Sequence, residues 1–138
     1  MTQEERQLLL IALCEYLPYK VKCFAEDREF GDLGTLYSID PFEKIDPNIY
    51  IQYDKGNVIS FFTSEVKPYL RPMSSMTEEE KKELGILECE GNIEHHYGIF
   101  YRCQDWLNSH YFDYRGLIEK GLALEAKEGM YEDIGKTS

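Results

Sequence analysis

The stretch Ile49-Tyr50-Ile51-Gln52-Tyr53-Asp54-Lys55-Gly56-Asn57-Val58-Ile59-Ser60-Phe61-Phe62-Thr63 decides how the chain is read. Ile49, Ile51 and Tyr53 alternate with Tyr50 and Gln52, a period of two that marks a strand with one buried face. Asp54-Lys55-Gly56-Asn57 carries turn residues, and Val58 to Thr63 returns the chain. The stretch therefore predicts a β-hairpin.

Working back from the hairpin, Asp40-Pro41 and Asp46-Pro47 bracket a connection, because proline cannot donate to a ladder and Asp-Pro favours turns. Leu33 to Ile39 reads as a strand with Leu33, Thr35, Tyr37 and Ile39 on one face, and Glu26 to Asp32 with Gly31 as the turn before it. Tyr19, Val21 and Cys23 alternate with Lys20 and Lys22 and predict the first strand. Four short strands on close connections make an antiparallel meander or a partly closed barrel. Such a sheet needs a cover on its apolar face. Thr2 with Glu5 three residues on is a capping box, and Leu9, Leu10, Leu13, Cys14 and Leu17 follow at helical spacing up to Pro18. The helix over 3–16 is expected to supply that cover; an exposed dimerisation helix is the alternative.

Working forward, Lys67 to Met76 has two prolines and no period, and is expected to cross away from the sheet. Ser75 or Thr77 caps a short helix that ends at Gly85, with Glu78, Glu79 and Glu80 at its positive end. Residues 86–98 carry conflicting turn and strand signals and are read as irregular. Ile99, Cys103, Trp106 and Leu107 define an amphipathic helix to His110. Leu117-Ile118 and Leu122-Ala123-Leu124 are core candidates, and the tail from Lys127 lacks an apolar face and is expected to be mobile. The expectation is one α+β domain over 1–126: a four-stranded antiparallel sheet under the N-terminal helix, with a helical C-terminal half.

The chain has 138 residues, 43% apolar and 30% charged, which excludes disordered and membrane-spanning classes. Its formal charge of −11 is spread as −5 over residues 1–70 and −6 over 71–138. That excess opposes direct binding to a phosphate backbone, where each phosphate needs Lys or Arg. The acidic start Met1-Thr2-Gln3-Glu4-Glu5 is unlike a secretory signal, and Leu8 to Cys14 is too short to span a bilayer, so a cytoplasmic location with no membrane partner is expected. Cys14, Cys23, Cys89 and Cys103 contain no Cys-x-x-Cys pair and read as small buried hydrophobes.

Cys89, His95, His96, Cys103 and His110 form the one metal-like group, yet its cysteines stand 14 apart, whereas structural zinc uses close pairs. A nucleophilic pair of Cys103 with His96 or His110 is possible on paper, but His110 lies two helical turns beyond Cys103, about 10 Å, too far for a hydrogen bond unless the helix is broken. There is no phosphate loop, nucleophile elbow or His-Glu-x-x-His. No catalytic residue, metal or cofactor is expected. The marked excess is aromatic: 11 Tyr, 7 Phe and one Trp. Tyr50, Tyr53 and Phe62 on the hairpin, and Trp106, Tyr114 and Arg115 near the third helix, are the candidate interaction surface.

Lys67-Pro68-Tyr69-Leu70-Arg71-Pro72-Met73-Ser74-Ser75-Met76-Thr77-Glu78-Glu79-Glu80, Asp105-Trp106-Leu107-Asn108-Ser109-His110 and Phe112 to Ala123 resemble a family of uncharacterised proteins of Bacteroides-type gut bacteria and their prophages. Leu17-Pro18-Tyr19-Lys20-Val21-Lys22 is similar to that family too. The resemblance implies a phage or mobile-element setting and brings no activity with it. The expected function is a small, non-catalytic interaction or regulatory module whose partner is a protein, with a homodimer as a further option. The alternative is a modulator of nucleic-acid transactions, as an acidic mimic or accessory protein. An enzyme of unknown class is third.

Overall fold

The computed structural model describes residues 1–40, 47–90 and 96–131, with side chains described outside 86–90 and 96–102. Helix α1 spans Gln3–Tyr16. The Thr2 hydroxyl accepts from the Glu5 N–H at 3.0 Å, and the Thr2 N–H donates to the Glu5 carboxylate at 2.9 Å, so the capping box closes as the sequence predicts. Pro18 ends the helix by starting a 3-10 turn over Leu17–Tyr19, and Lys20 leaves it in the left-handed region at φ 55°. Tyr19 is thus not in the first strand. The polypeptide becomes extended only at β1, Lys22–Asp27.

Strands β2 (Gly31–Ile39), β3 (Ile49–Gln52) and β4 (Val58–Phe61) follow β1 as an antiparallel meander. Tyr53 N–H donates to Asn57 O and Gly56 N–H to Tyr53 O, both at 2.8 Å, with Gly56 at φ 87°. That positive φ is why a glycine stands at the hairpin tip.

The sheet is larger than four strands. Lys67–Leu70, expected to be a crossing segment, is β5 beside β1, and Leu124–Glu125 is β6, parallel to β5. The order β4-β3-β2-β1-β5-β6 is open and mixed, and no barrel closes. Periodicity missed β5 because all but Lys67 of its four residues are buried. A strand covered on both faces shows no alternation.

Of the four residues expected on one face of β2, Leu33, Thr35 and Tyr37 do share one, the outer face. Gly34 and Leu36 point into the core, while Leu33 and Tyr37 are exposed. The register shifts between Leu36 and Ser38, so a bulge at Tyr37 inverts parity and only Ile39 of the expected set turns inward. Gly34 is required at its inward position, since a Cβ there would lie 2.3 Å from the Ile51 side chain.

Leu9, Ala12, Leu13 and Tyr16 of α1 join Val21, Cys23, Leu36, Ile49, Ile51 and Leu70 in one core, so α1 is the lid on the inner face. Helix α2 spans Glu78–Glu90 and passes through Gly85 instead of stopping there; α3 spans His96–Ser109. The segment 86–98, read as irregular, is therefore helical in its described residues, and 91–95 lie outside them. The helical half ends at Ser109: residues 110–131 are turns and β6, although Leu117, Leu122 and Ala123 enter the core as expected. Pro41 and Asp46 of the connection bracketed by Asp-Pro pairs lie outside the described residues. No described helix is long and apolar enough to cross a membrane.

Glu80 ties α2 to the end of β5. It closes a second capping box with Thr77, whose N–H donates to it at 2.9 Å, and it accepts both Arg71 terminal nitrogens at 2.7 Å. Burial alone would raise this carboxyl, but the Arg71 and Thr77 hydrogen bonds and the Arg71 charge outweigh it and hold its pKa at about 2. A depressed carboxyl contributes stability above its unfolded value of 4.5 and loses it as pH falls through about 2. Urea midpoints measured from pH 7 to pH 2 should therefore fall by the equivalent of about 1–2 kcal/mol through this group, discounted for its partial exposure. Glu80→Gln should be less stable at neutral pH and show a flatter acid limb; an unchanged limb would dissociate the pair from acid stability.

Candidate functional site

Directly opposed residues of an antiparallel pair share a face. The register therefore writes out the side of the sheet away from the core. One row runs Lys22, Thr35, Gln52, Val58; the next runs Ser38, Tyr50, Ser60; and Lys67, Phe24 and Leu33 make a third. Leu33, Tyr37 and Val58 are 42%, 56% and 38% exposed on it, and Phe62, at 56%, follows in the same parity just past β4. Exposed large apolar side chains cluster here on one face, the arrangement that marks an interaction surface.

Of the residues singled out on the hairpin, Tyr50 lies half-buried and Phe62 exposed on this face. Tyr53 points the other way. It is 3% exposed, stacks on Phe30 at 5.9 Å, and its hydroxyl donates to the Ala25 carbonyl. Burial, with Asp27 and Asp32 nearby, pushes that phenol up to about 12, so it remains a donor at neutral pH. Leu33, Tyr37 and Phe24 belong to the face and were missed. The alternation of Leu33 to Tyr37 groups two of them correctly, but which side of the sheet is wet is set by the packing of α1 on the other.

Trp106, Tyr114 and Arg115 lie elsewhere, on two sides of α3. Trp106 donates to Glu83 at 3.2 Å and stacks on His110 at 4.0 Å and on Phe112 at 5.8 Å. The Phe112 ring also carries the Arg71 guanidinium, 4.2 Å from its centroid. His110 Nδ1 sits 2.8 Å from the Trp106 carbonyl, so that nitrogen carries the ring hydrogen. Tyr114 donates to Glu15 on α1, at 2.5 Å, and reaches Asn108 and Gln104 on α3, and Arg115 pairs with the same Glu15. The contacts with Glu15 join segments about a hundred residues apart and hold the Tyr114 hydroxyl and one Arg115 terminal nitrogen inside the fold.

Beyond Ala126 the chain still packs. Tyr131 stacks on Tyr111 at 3.9 Å, its hydroxyl accepts from the Lys22 N–H at 2.9 Å and donates to the Tyr69 carbonyl at 2.8 Å. It fills the place where β1 and β5 part after Cys23 and Pro68. Residues 132–138 lie outside the described residues.

Cys23 is buried and its thiol pushed well up; Cys14, contrary to expectation, is exposed, with its thiol raised by partial burial and by Glu15. Raised thiols are poor nucleophiles. Cys103 is half-buried, and the side chains of Cys89 and His96, with all of His95, fall outside the described residues; among those described, no three His, Cys, Asp or Glu side chains converge on a metal position. A cleft of about 250 Å³ lies between Arg71, Ser75, Glu125, Lys127 and Tyr131. Of its cations, Arg71 is paired with Glu80 and Lys127 lies over the Tyr69 ring at 5.9 Å. In the acidic run at the start of α2, Glu80 is likewise held by Arg71 and Glu78 by Lys81 at 3.3 Å.

Comparison with protein-family models, with curated proteins and with solved structures returned no match.

Proposed function

We propose that the chain is a protein-docking module that works through the outer face of its sheet, in the phage or mobile-element setting that the sequence resemblance implies. The observation that carries this reading is the grouping of Leu33, Tyr37, Tyr50 and Val58 on one side of β2, β3 and β4, opposite the face that α1 covers. Burying such a patch on a partner gains roughly 25 cal/mol per Å² of apolar surface before the costs of association. Lys22 and Lys67 border the face at β1 and β5, and the partner surface this suits is apolar with acidic residues at its rim.

The charge argument against a nucleic-acid backbone stands beside this reading, since the two lysines are the sheet face's cations in a chain of net −11. Capture from host lysate should be run with the wild type and a Leu33→Asp/Tyr37→Asp variant in parallel. Both positions are exposed, so the variant should unfold within about 1 kcal/mol of the wild type. Proteins retained by the wild type and lost by the variant are the expected result. Identical recoveries from the two baits would refute docking through this face.

A further inference from the structure

We infer that two copies of this chain associate across a two-fold axis by pairing the free edge of β4 with itself. The alternation of the ladder comes first. Tyr53 and Asn57 form a hydrogen-bonded pair at the hairpin tip. In an antiparallel ladder bonded and non-bonded pairs alternate, so Ile51 with Ile59 and Ile49 with Phe61 are bonded, and Val58 and Ser60 turn their N–H and C=O groups away from β3.

The open edge is short because both ends are closed by the chain itself. The Phe62 N–H donates to the Glu65 carboxylate at 2.9 Å, and the Phe62 carbonyl accepts from the Glu65 N–H at 2.9 Å. At the other end the Asn57 carbonyl is taken by Tyr53. Among the described residues, two donors and two acceptors are left, on Val58 and Ser60. A long strand from another protein gains nothing beyond these four groups. An antiparallel copy with Val58 opposite Ser60 satisfies all of them with an identical set, which is the condition for an isologous contact.

The side chains fit the same register. Ile59, half-buried beside the core, meets its own counterpart across the axis. On the outer face each exposed Phe62 comes diagonally over the Val58 of the other copy, so two apolar side chains left to solvent in one copy cover each other in two. The strand Val58-Ile59-Ser60-Phe61 carries no charge and no proline, the devices that keep sheet edges apart. The antiparallel arrangement brings Lys55 of each tip toward the Glu65 end of the other copy, so the chain's net charge is not opposed at the contact. Leu33 and Tyr37 stay free, and although Val58 belongs to both, Ser60→Pro and Leu33→Asp/Tyr37→Asp test the pairing and docking on the outer face separately.

Sedimentation of the full chain from micromolar to millimolar concentration tests this. The wild type is expected to shift toward twice its 16.2 kDa mass. Ser60→Pro removes a donor that faces solvent in the single copy, where proline is tolerated, and takes away two of the four intermolecular bonds; the dissociation constant should rise about 30-fold. Val58→Lys places a charge on the edge and should act the same way, with far-UV and near-UV circular dichroism of both variants matching the wild type. The Leu33→Asp/Tyr37→Asp variant should dimerise normally. A wild type that stays monomeric at millimolar concentration, leaving the edge to a strand of some other protein, would overturn the inference, as would a dimer indifferent to both edge variants.

Discussion

Phe112→Ala is expected to lower the free energy of unfolding by about 3–5 kcal/mol, the largest effect of any single truncation proposed for this chain. The ring is fully buried, so its removal loses transfer energy and leaves a cavity. It also supports the Arg71 guanidinium on its face and the Trp106 indole beside it, which in turn orient the pairing with Glu80 and the contact with Glu83. The backbone at this position is pinned independently: the Phe112 carbonyl accepts from the Tyr16 hydroxyl, and residues 111 and 113 bond Arg71 on either side. Collapse into the cavity is therefore restricted, which places the cost toward the upper end. Equilibrium urea unfolding followed by Trp106 fluorescence measures it. A loss under about 1 kcal/mol would show that the ring stack is an ornament on the fold and not part of its core.

Tyr131→Phe should cost about 2–3 kcal/mol, more than the loss of one ordinary hydrogen bond. The phenylalanine keeps the ring stack on Tyr111, so the change isolates the hydroxyl. That hydroxyl bridges the Lys22 N–H and the Tyr69 carbonyl, two backbone groups that have separated too far to bond each other. Without it a donor and an acceptor are left unpaired in a partly buried seam, and the asymmetry between making a bond and abandoning its partners sets the magnitude. Burial holds the phenol well above its ordinary pKa, so the bridge is insensitive to pH through the neutral range. Hydrogen exchange should speed up at the Lys22 amide in the variant while the Ile51 amide, bonded within the ladder, follows only the global change. Equal protection at Lys22 in both proteins would contradict the bridge.

Some of the candidate site was legible before any coordinates. The hairpin 49–63 was, because its alternation and its Gly56 turn are local facts, and the structure puts Tyr50 and Phe62 of its aromatics on the wet face. Tyr53 was grouped with them, but the same alternation sends it inward, against Phe30. Leu33, Thr35 and Tyr37 share a face as their alternation says, but a bulge at Tyr37 inverts every side chain beyond it and sends Ile39 alone to the core, and no property of Tyr37 itself announces that. Trp106, Tyr114 and Arg115 looked like one cluster since they are close in sequence. Trp106 is held by Glu83 on one side of α3, while Tyr114 and Arg115, beyond its end, share Glu15 on the other.

Local chemistry in the sequence was enough for both capping boxes, for the helix over 3–16 to the residue, for the antiparallel meander and for an α+β architecture under an N-terminal lid. These follow from side chains acting on their own neighbours within a turn or a pleat. Tertiary structure alone decided the parity of β2, the recruitment of β5 and β6, the passage of α2 through Gly85, and the place of Tyr131 in the seam between β1 and β5. Each of those depends on a partner tens of residues away, and a strand buried on both faces or a hydroxyl that completes someone else's ladder carries no periodic mark of its own. The free energy that fixes them appears only when distant segments meet and exclude water together.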